Sequence, residues 1–223
     1  MGNTELNVPS LDVKISSQFR IKTPEFSLRD GDFLRISGPN GSGKSTFVRW
    51  LAHLSPYSTE KMKLKVNGAE IPAGQWRRQM TYLPESFSLP PRETLSDSLC
   101  YFMTLRGLPR SEARTRLTRY CEEWNLTSLL AREANQLSVG LIQQMKVALV
   151  MAQQSPIALL DEPLRSVDEE GRRSLSKQLA ERLSKGAVII SAFLPFESTA
   201  PLQPHYHLIF ENGQATMKKG KES

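Results

Sequence analysis

Cysteines, long apolar runs and signal-like segments are scarce or missing in this sequence of 223 residues. Only Cys100 and Cys121 occur, both inside helix-like patterns, which favours small buried thiols over a disulfide or a metal site. The longest nearly apolar stretch, residues 187–196, is far shorter than the roughly 20 residues that cross a bilayer. The first 25 residues contain no apolar segment of the signal-peptide kind. We therefore expect a cytosolic chain without redox chemistry.

Acidic residues are fewer than basic ones, because 29 Lys and Arg face 23 Asp and Glu, which gives a net charge of +6. Such a surplus is compatible with nucleic acid or anionic lipid as a partner. A solvated basic surface is the alternative, and no aromatic-and-basic binding module accompanies the charge. We expect no nucleic-acid partner. The length fits one sizeable domain with an inserted subdomain.

A glycine-rich stretch, residues 38–46, lies between a β-like run at residues 32–37 and a helix-like run at residues 47–52. Glycines allow backbone N–H groups to turn towards an anion, and the following helix directs its positive dipole end at the same point. This order is typical of a P-loop, in which Lys44 contacts the β- and γ-phosphates and the Ser45 hydroxyl contacts Mg²⁺. We predict nucleotide binding by Gly38, Pro39, Asn40, Gly41, Ser42, Gly43, Lys44, Ser45 and Thr46.

Hydrophobic periodicity elsewhere predicts an α/β chain that contains one all-helical block. The block, residues 94–136, begins with a capping box of Thr94 and Asp97 and is interrupted at residues 107–109. A block of helices within a chain of strands and helices indicates an inserted subdomain. A further helix is predicted at residues 141–154. Strands are predicted at residues 11–16, 25–28, 32–37, 61–66, 80–83, 156–160, 188–191 and 207–210.

Two further motifs narrow the chemistry. Asp161 and Glu162 end an apolar run, and behind a P-loop such a pair supplies a magnesium ligand and a general base for the attacking water. The alternative is a strand end that meets solvent. Ser138 and Gly140 stand just before a predicted helix, where a hydroxyl and free N–H groups form a second anion site. We interpret that site as one for a partner subunit's nucleotide, against the alternative of a plain helix N-cap.

Together these motifs resemble the ATP-binding cassette (ABC) family over residues 11–215. The P-loop matches the Walker A motif, residues 137–140 the family signature, residues 157–163 the Walker B motif and residues 165–168 the D-loop. The resemblance implies an α/β fold with a parallel-sheet core, an N-terminal antiparallel β subdomain and an inserted α-helical subdomain. We assign residues 1–85 and 137–223 to the nucleotide-binding core and residues 86–136 to the helical subdomain of a single ABC ATPase domain.

The resemblance also implies cofactors, partners and residue roles. ATP and Mg²⁺ are the expected cofactors, and Ser138 and Gly140 would clasp the ATP of a second cassette in a homodimer or heterodimer. Phe19 lies where family members place an aromatic that stacks on adenine, and a core phenylalanine is an equal alternative. Asp168 belongs to the D-loop. The expected catalytic residues are Glu162, Lys44 and Glu85, and the expected magnesium ligands are Ser45, Asp161 and Glu85.

Three departures from the family pattern bear on the mechanism. The usual glutamine of the Q-loop is Glu85, which adds a negative charge beside the γ-phosphate. The expected histidine after the strand at residues 188–191 falls on Phe193, whose ring cannot hydrogen-bond a phosphate. Val139 and Leu141 also replace the usual residues of the signature. We therefore hypothesise a slow ATPase, or one half of a heterodimer in which the other site hydrolyses most of the ATP.

The function predicted from this resemblance is the ATPase subunit of a membrane exporter, on the cytoplasmic face of the cell membrane, with a separate transmembrane permease. Residues 82–85 and 105–113 look most like the exporter branch that includes drug, polysaccharide and haem-export ATPases. Phe87 and Leu89 would line the groove for the permease, or would pack locally. Two alternatives remain: a soluble ABC-type ATPase that acts on the ribosome or DNA, and a regulatory cassette that hydrolyses weakly.

Overall fold

The computed structural model describes residues 3–57, 61–194 and 202–220. In these residues the α-helices are α1 (Lys44–Leu51), α2 (Trp76–Gln79), α3 (Leu95–Leu105), α4 (Arg110–Glu123), α5 (Val139–Ala152) and α6 (Glu169–Ser184). The strands are β1 (Glu5–Val8), β2 (Leu11–Lys14), β3 (Arg20–Thr23), β4 (Phe26–Arg29), β5 (Phe33–Ser37), β6 (Lys63–Val66), β7 (Ala69–Glu70), β8 (Met80–Leu83), β9 (Ile157–Asp161), β10 (Val188–Phe193), β11 (Tyr206–Glu211) and β12 (Gln214–Lys219).

The main sheet has eight strands in the order β2-β3-β12-β11-β5-β10-β9-β8. The five strands from β11 to β8 are parallel to one another, whereas β12 and β2 pair antiparallel with β11 and β3. The predicted parallel core is thus confirmed for the centre of a sheet that is mixed as a whole. Every residue of β5, β9 and β10 is buried, which is why these strands read as apolar runs rather than alternating ones.

A second, antiparallel sheet confirms the predicted N-terminal β subdomain. Its strand order is β4-β1-β6-β7. Leu6 of β1 lies opposite Leu28 of β4 on one side and Leu64 of β6 on the other. All three leucines are fully buried, so one cross-strand row of leucines attaches this sheet to the core.

The predicted helical subdomain contains α3 and α4. Thr94 caps α3, because its Oγ1 accepts a hydrogen bond from Asp97 N at 3.1 Å and donates one to the Asp97 carboxylate at 2.8 Å. The helix pair packs on α5 through a continuous apolar core that includes Cys100 and Cys121. Both thiols are free, and burial raises the pKa of Cys121 to about 12, so both are the unreactive buried thiols that the composition predicted.

Helix α6, which the sequence patterns above did not identify, follows the acidic motif. Asp168 caps it by accepting a hydrogen bond from Gly171 N at 2.8 Å, and two glutamates stand in its first turn. Its buried residues include Leu175, Leu179 and Leu183, which recur every four positions. The cap and this spacing are the sequence signals that were available for the helix.

The parallel strands bring the predicted motifs to one edge of the sheet. Ser37, which precedes the P-loop, lies opposite Phe193 of β10, and Ala192 lies opposite Asp161 of β9. Leu83, which ends β8 just before Glu85, lies beside Leu160 of β9. Carboxyl ends of adjacent parallel strands are the usual place for a ligand in open α/β sheets. None of the helices in the described residues is both long and apolar enough to span a membrane.

Candidate functional site

The glycine-rich loop joins β5 to α1 and is closed by backbone hydrogen bonds. Ser42 N donates to Pro39 O at 3.2 Å, and Gly213 N donates to Ser42 O at 3.1 Å, which ties the loop to the turn between β11 and β12. Gly43, the N-cap of α1, has a φ of 110°, which an L-residue with a side chain rarely adopts. The loop therefore wraps the amino end of α1, where N–H groups have no partner within the helix.

Lys44 is the first residue of α1 and is 4% exposed. Its Nζ donates to Gly38 O at 2.8 Å and to Pro39 O at 3.1 Å. The carbonyls of the loop thus hold the ammonium group at the loop's centre. A cation held at this point, next to the amino end of a helix, makes the site strongly attractive to a polyphosphate.

Ser45 and Asp161 form an oxygen pair suited to a hard divalent cation. Ser45 Oγ donates to Asp161 Oδ1 at 3.1 Å, although the two residues come from α1 and from the end of β9. Asp161 is 2% exposed, and burial raises the pKa of its carboxyl, against the opposing effects of the Ser45 hydrogen bond and the Lys44 charge. A hydroxyl and a buried carboxylate are the ligand types that Mg²⁺ takes in nucleotide sites, so this pair fits the ion.

Glu162 directly follows β9 in an unusual backbone conformation, with a φ of 52°. Its N–H donates to Ala192 O at 3.0 Å, and Gln143 Nε2 of α5 donates to the carbonyl of Pro163 at 3.2 Å. These contacts hold the strained turn, and the strain is of a kind that clusters at active sites. The side chain of Glu162 is 8% exposed and reaches the same cavity as the P-loop.

The site is a cavity of about 330 Å³ that the P-loop shares with the ends of β8, β9 and β10. Its size lies at the lower end of the range for small-molecule pockets. It brings together most of the residues predicted from sequence. Its walls are formed by Phe19, Asn40, Gly41, Gly43, Lys44, Ser45, Thr46, Glu85, Glu162, Arg165 and Leu194.

Arg165 also lines the cavity. The sequence patterns placed it in the D-loop but did not assign its side chain to the site. Its guanidinium contacts the Glu85 carboxylate and lies 3.4 Å from Glu162 Oε2. One arginine therefore joins the carboxylate that follows β8 to the one that follows β9. The local signal was limited to the i,i+3 spacing between Glu162 and Arg165, and the contact with Glu85 spans 80 positions of the chain.

Phe19 lies at the wall that the loop after β2 contributes. A Cβ on Gly43 would be 3.4 Å from the edge of its ring, and a Cβ on Gly213 would be 3.3 Å away. The ring is partly buried against the core and also borders the cavity. Both interpretations given for this residue, core packing and adenine stacking, thus remain compatible with its position.

Ser138, Gly140 and Asp168 do not contribute to the walls of this cavity in the described residues. Ser138 is exposed and caps α5, since its Oγ accepts a hydrogen bond from Leu141 N at 3.3 Å. The helix begins at Val139, two residues before the predicted start. A Cβ on Gly140 would lie 2.9 Å from Ser166 O, so the start of α5 lies directly against the loop that ends at Asp168.

Phe193 does not face the cavity in the described residues. Its ring is fully buried, with the Phe33 ring centroid 6.3 Å away and the Arg35 guanidinium 5.1 Å from its own centroid. The next residue, Leu194, lines the cavity instead. The position at which a histidine was expected is therefore a core position of β10.

Comparison with known proteins identifies relatives of the chain. Residues 21–165 match the family model described as ABC transporter. "ABC transporter I family member 1" of Arabidopsis thaliana is 34% identical over 170 residues, which are 74% of this chain and 71% of that protein. "Probable multidrug ABC transporter ATP-binding protein YbhF" of Escherichia coli is 26% identical over 85% of this chain and 33% of its own length.

An importer protein matches similarly: "Molybdate/tungstate import ATP-binding protein WtpC" of Pyrococcus horikoshii is 26% identical over 73% of this chain and 47% of its own length. The chain spans about half the length of several such curated relatives. Among solved structures, a dimeric post-hydrolysis ATP-binding cassette bound to ADP and Pi superposes with a TM-score of 0.75 at 19% identity, over 99% of this chain and 100% of that one. This likeness supports the fold.

A matched pair of glycine substitutions tests the geometry of the loop. Gly38 has a φ of 154°, and a Cβ there would lie 2.3 Å from Phe210 O, whereas Gly41 has a φ of 75° with nothing within 4 Å. We expect Gly41→Ala to cost about 1 kcal/mol from the positive φ alone. Gly38→Ala is expected to cost about 3 kcal/mol, because strand β11 must also shift. Urea unfolding of the two variants measures both values, and equal losses would contradict the described packing.

Proposed function

This chain belongs to the ABC transporter family as an ATP-binding cassette, and on that premise we propose that it binds and hydrolyses ATP to power a membrane exporter. One observation carries the proposal: a single cavity is lined by the P-loop, Lys44, Ser45, Glu85 and Glu162. These groups supply the anion-binding N–H donors, a cation, a metal-binding hydroxyl and a general base that ATP hydrolysis requires.

In this proposal the P-loop and the amino end of α1 bind the phosphates. Lys44 exchanges its contacts with Gly38 O and Pro39 O for phosphate oxygens, at little cost in side-chain entropy because it is already held in place. Ser45 and Asp161 would hold Mg²⁺, whereas Glu85, which the sequence also predicted as a ligand, is paired with Arg165 in the wall. That ion, when bound, neutralises phosphate charge. Phe19 would stack on the adenine from its place beside Gly43.

Glu162 is proposed to orient the attacking water and to accept its proton. Burial of its side chain to 8% exposure removes competing solvent, and the backbone contacts to Ala192 and Gln143 keep the carboxylate aimed into the cavity. General-base catalysis of this kind typically contributes about 10²–10⁴ in rate.

We propose that the active form is a head-to-tail dimer of cassettes, as homodimer or heterodimer. Ser138 and Gly140 would bind the γ-phosphate side of a partner's ATP. Ser138 is exposed and accepts one backbone hydrogen bond, so its hydroxyl hydrogen is available to a phosphate on a second molecule. Asp168, which caps α6, would hold the D-loop at the dimer interface.

A separate transmembrane permease is the proposed partner, with the cassette on the cytoplasmic face of the cell membrane. An apolar groove of about 210 Å³ between β8 and α3 fits the end of such a subunit. Phe87 lines it, and its ring packs edge-on against Phe102 at 4.8 Å, whereas Leu89 is buried. The multidrug protein of E. coli and the import protein of P. horikoshii are equally similar to the chain, so the proposal of export rests on the resemblance of residues 82–85 and 105–113 to the exporter branch.

Two other functions can be distinguished from the exporter function. A soluble cassette that acts on the ribosome or DNA would co-purify with ribosomes or nucleic acid rather than with a membrane protein. A regulatory cassette would bind ATP with little turnover, and the buried ring of Phe193 favours that function, because the described residues of the cavity wall include no histidine. Glu162 in the cavity favours hydrolysis.

Substitution of the proposed catalytic groups tests the enzymatic part of the function. Lys44→Ala removes the cation of the P-loop and is expected to weaken MgATP binding at least tenfold, measured by isothermal titration calorimetry. Glu162→Gln is expected to retain binding, to lose more than about 10²-fold of turnover, and to form an ATP-dependent dimer in size-exclusion chromatography.

Lys63→Ala, at the exposed first residue of β6, is the control and is expected to leave binding and turnover unchanged. If Lys44→Ala binds MgATP as tightly as the wild type, the cavity is not the ATP site. If Glu162→Gln retains wild-type turnover, Glu162 is not the base.

Turnover itself tests the proposal of slow hydrolysis. We expect a turnover roughly 10²–10³-fold below that of a cassette that retains the histidine, the loss associated with one preorganised donor. Phe193→His alone is not expected to raise it, because the new imidazole would lie in the core beside Phe33 and Arg35. Steady-state phosphate release measures both. Equal turnover in the two cassettes would contradict slow hydrolysis.

Capture of the membrane partner tests the groove. Leu105 is 64% exposed and lines the groove, so Leu105→Asp places a charge where an apolar partner surface would bind and is expected to abolish capture. Leu54, also exposed at 45%, lies outside the groove, and Leu54→Asp is the matched control. The measurement is affinity capture from detergent-solubilised membranes, followed by mass spectrometry. Capture that tolerates Leu105→Asp, or capture of ribosomes, would contradict this assignment.

A further inference from the structure

Arg165 stands at the same end of the cavity as the proposed general base. It ends a tight turn in which its own N–H donates to Glu162 O at 3.2 Å. Its side chain then returns to the Glu162 carboxylate and reaches Glu85. Three charged side chains from two strand ends thus meet at one point of the wall that also contains Lys44 and Ser45.

At this point of the wall, Arg165 offsets part of the negative charge that comes from Glu85, Glu162 and, beside Ser45, Asp161. Glu85 and Glu162 are carboxylates that would face the phosphates of a nucleotide, and each repels those phosphates and the other carboxylate. Lys44 is the other cation that the described residues bring to this wall. Without Arg165, the exposed carboxylate of Glu85 would add an uncompensated negative charge next to a polyanion.

An ordinary surface ion pair would have little consequence, and the chain offers one for comparison. Arg173 pairs with Glu169 one turn earlier on α6, where both side chains are largely exposed, at 68% and 80%. Such pairs contribute little. Arg165 and Glu85 are themselves 57% and 41% exposed, but their cluster differs because its second carboxylate, that of Glu162, is 8% exposed and because all three side chains line the cavity.

We propose that Arg165 is a nucleotide-binding residue whose charge makes Glu85 compatible with a bound triphosphate. It neutralises Glu85, and its guanidinium, which lies 3.4 Å from Glu162 Oε2, would donate a charge-assisted hydrogen bond to the terminal phosphate. This inference deepens the proposed ATP-binding function and rests on it. It assigns to the terminal phosphate a cation that comes from the loop after β9.

The test is a double-substitution cycle read as binding affinity rather than turnover. Arg165→Gln is expected to weaken MgATP binding roughly tenfold and MgADP binding less than threefold, because ADP lacks the terminal phosphate. Glu85→Gln in the Arg165→Gln background is expected to recover most of the lost affinity, since the uncompensated charge is then removed. Titration calorimetry measures each value, and Arg173→Gln is the matched control, with no expected change.

Any of three results would overturn the proposal. Arg165→Gln could bind MgATP as tightly as the wild type, it could lose equal affinity for MgATP and MgADP, or the double variant could fail to recover MgATP affinity. If Arg165→Gln does not fold, Arg165→Lys, which keeps the charge, is expected to bind MgATP within threefold of wild type, and a tenfold loss would overturn the proposal. Absence of MgATP binding by the wild-type protein would instead refute the proposed function as a whole.

Discussion

The parallel register of β5, β10, β9 and β8 is the constraint on which the site depends. This register places Ser37, Phe193, Asp161 and Leu83 at one edge of the sheet. Each of these strands is followed by a segment that lines the cavity: the P-loop follows β5, Leu194 follows β10, Glu162 follows β9 and Glu85 follows β8. Because the three inner strands are buried on both faces, a shift in their pairing would disrupt close-packed apolar contacts on both sides of the sheet. The stability of the sheet therefore also fixes the relative positions of the proposed catalytic groups.

The site holds several charges close together, and the fold balances most of them by pairing. Loop carbonyls accept the hydrogen bonds of Lys44, Ser45 donates to Asp161, and Arg165 pairs with Glu85 and Glu162. Asp161 is less fully compensated. Burial raises the pKa of its carboxyl, although the Ser45 hydrogen bond and the Lys44 charge act in the opposite direction. A buried carboxylate that is incompletely compensated favours the arrival of a cation. The charges of the cavity are thus suited to the proposed magnesium-bound polyphosphate.

Sequence reasoning predicted the local features well, because each depended on residues close together in the chain. The strand at residues 80–83, the cap at Thr94 and the P-loop all belong to this class. It did not predict β12, whose weakly apolar sequence is decided by pairing with β11. It also missed α6, although the Asp168 cap and the spacing of its leucines were signals for a helix. It also missed the cluster at Arg165, because contact with Glu85 depends on the order of strands in the sheet. That order is a tertiary property without a local signal.

The proposed signature residues at the start of α5 are in direct contact with the 162–168 loop, which contains the proposed general base. Gly140 packs so closely on Ser166 O that a side chain there would lie within 2.9 Å of that oxygen, and Gln143 of the same helix donates to Pro163 O. In the proposed dimer, a partner's phosphate bound at Ser138 would shift the start of α5, because Ser138 is the N-cap of that helix. Because α5 contacts the 162–168 loop at Gly140 and through the Gln143 side chain, a displacement of α5 would reach Arg165 and Glu162 through packed contacts rather than through a flexible link. Binding of the partner's ATP at Ser138 and alignment of Glu162 in the chain's own cavity would then be coupled by this contact. The contact requires glycine at position 140.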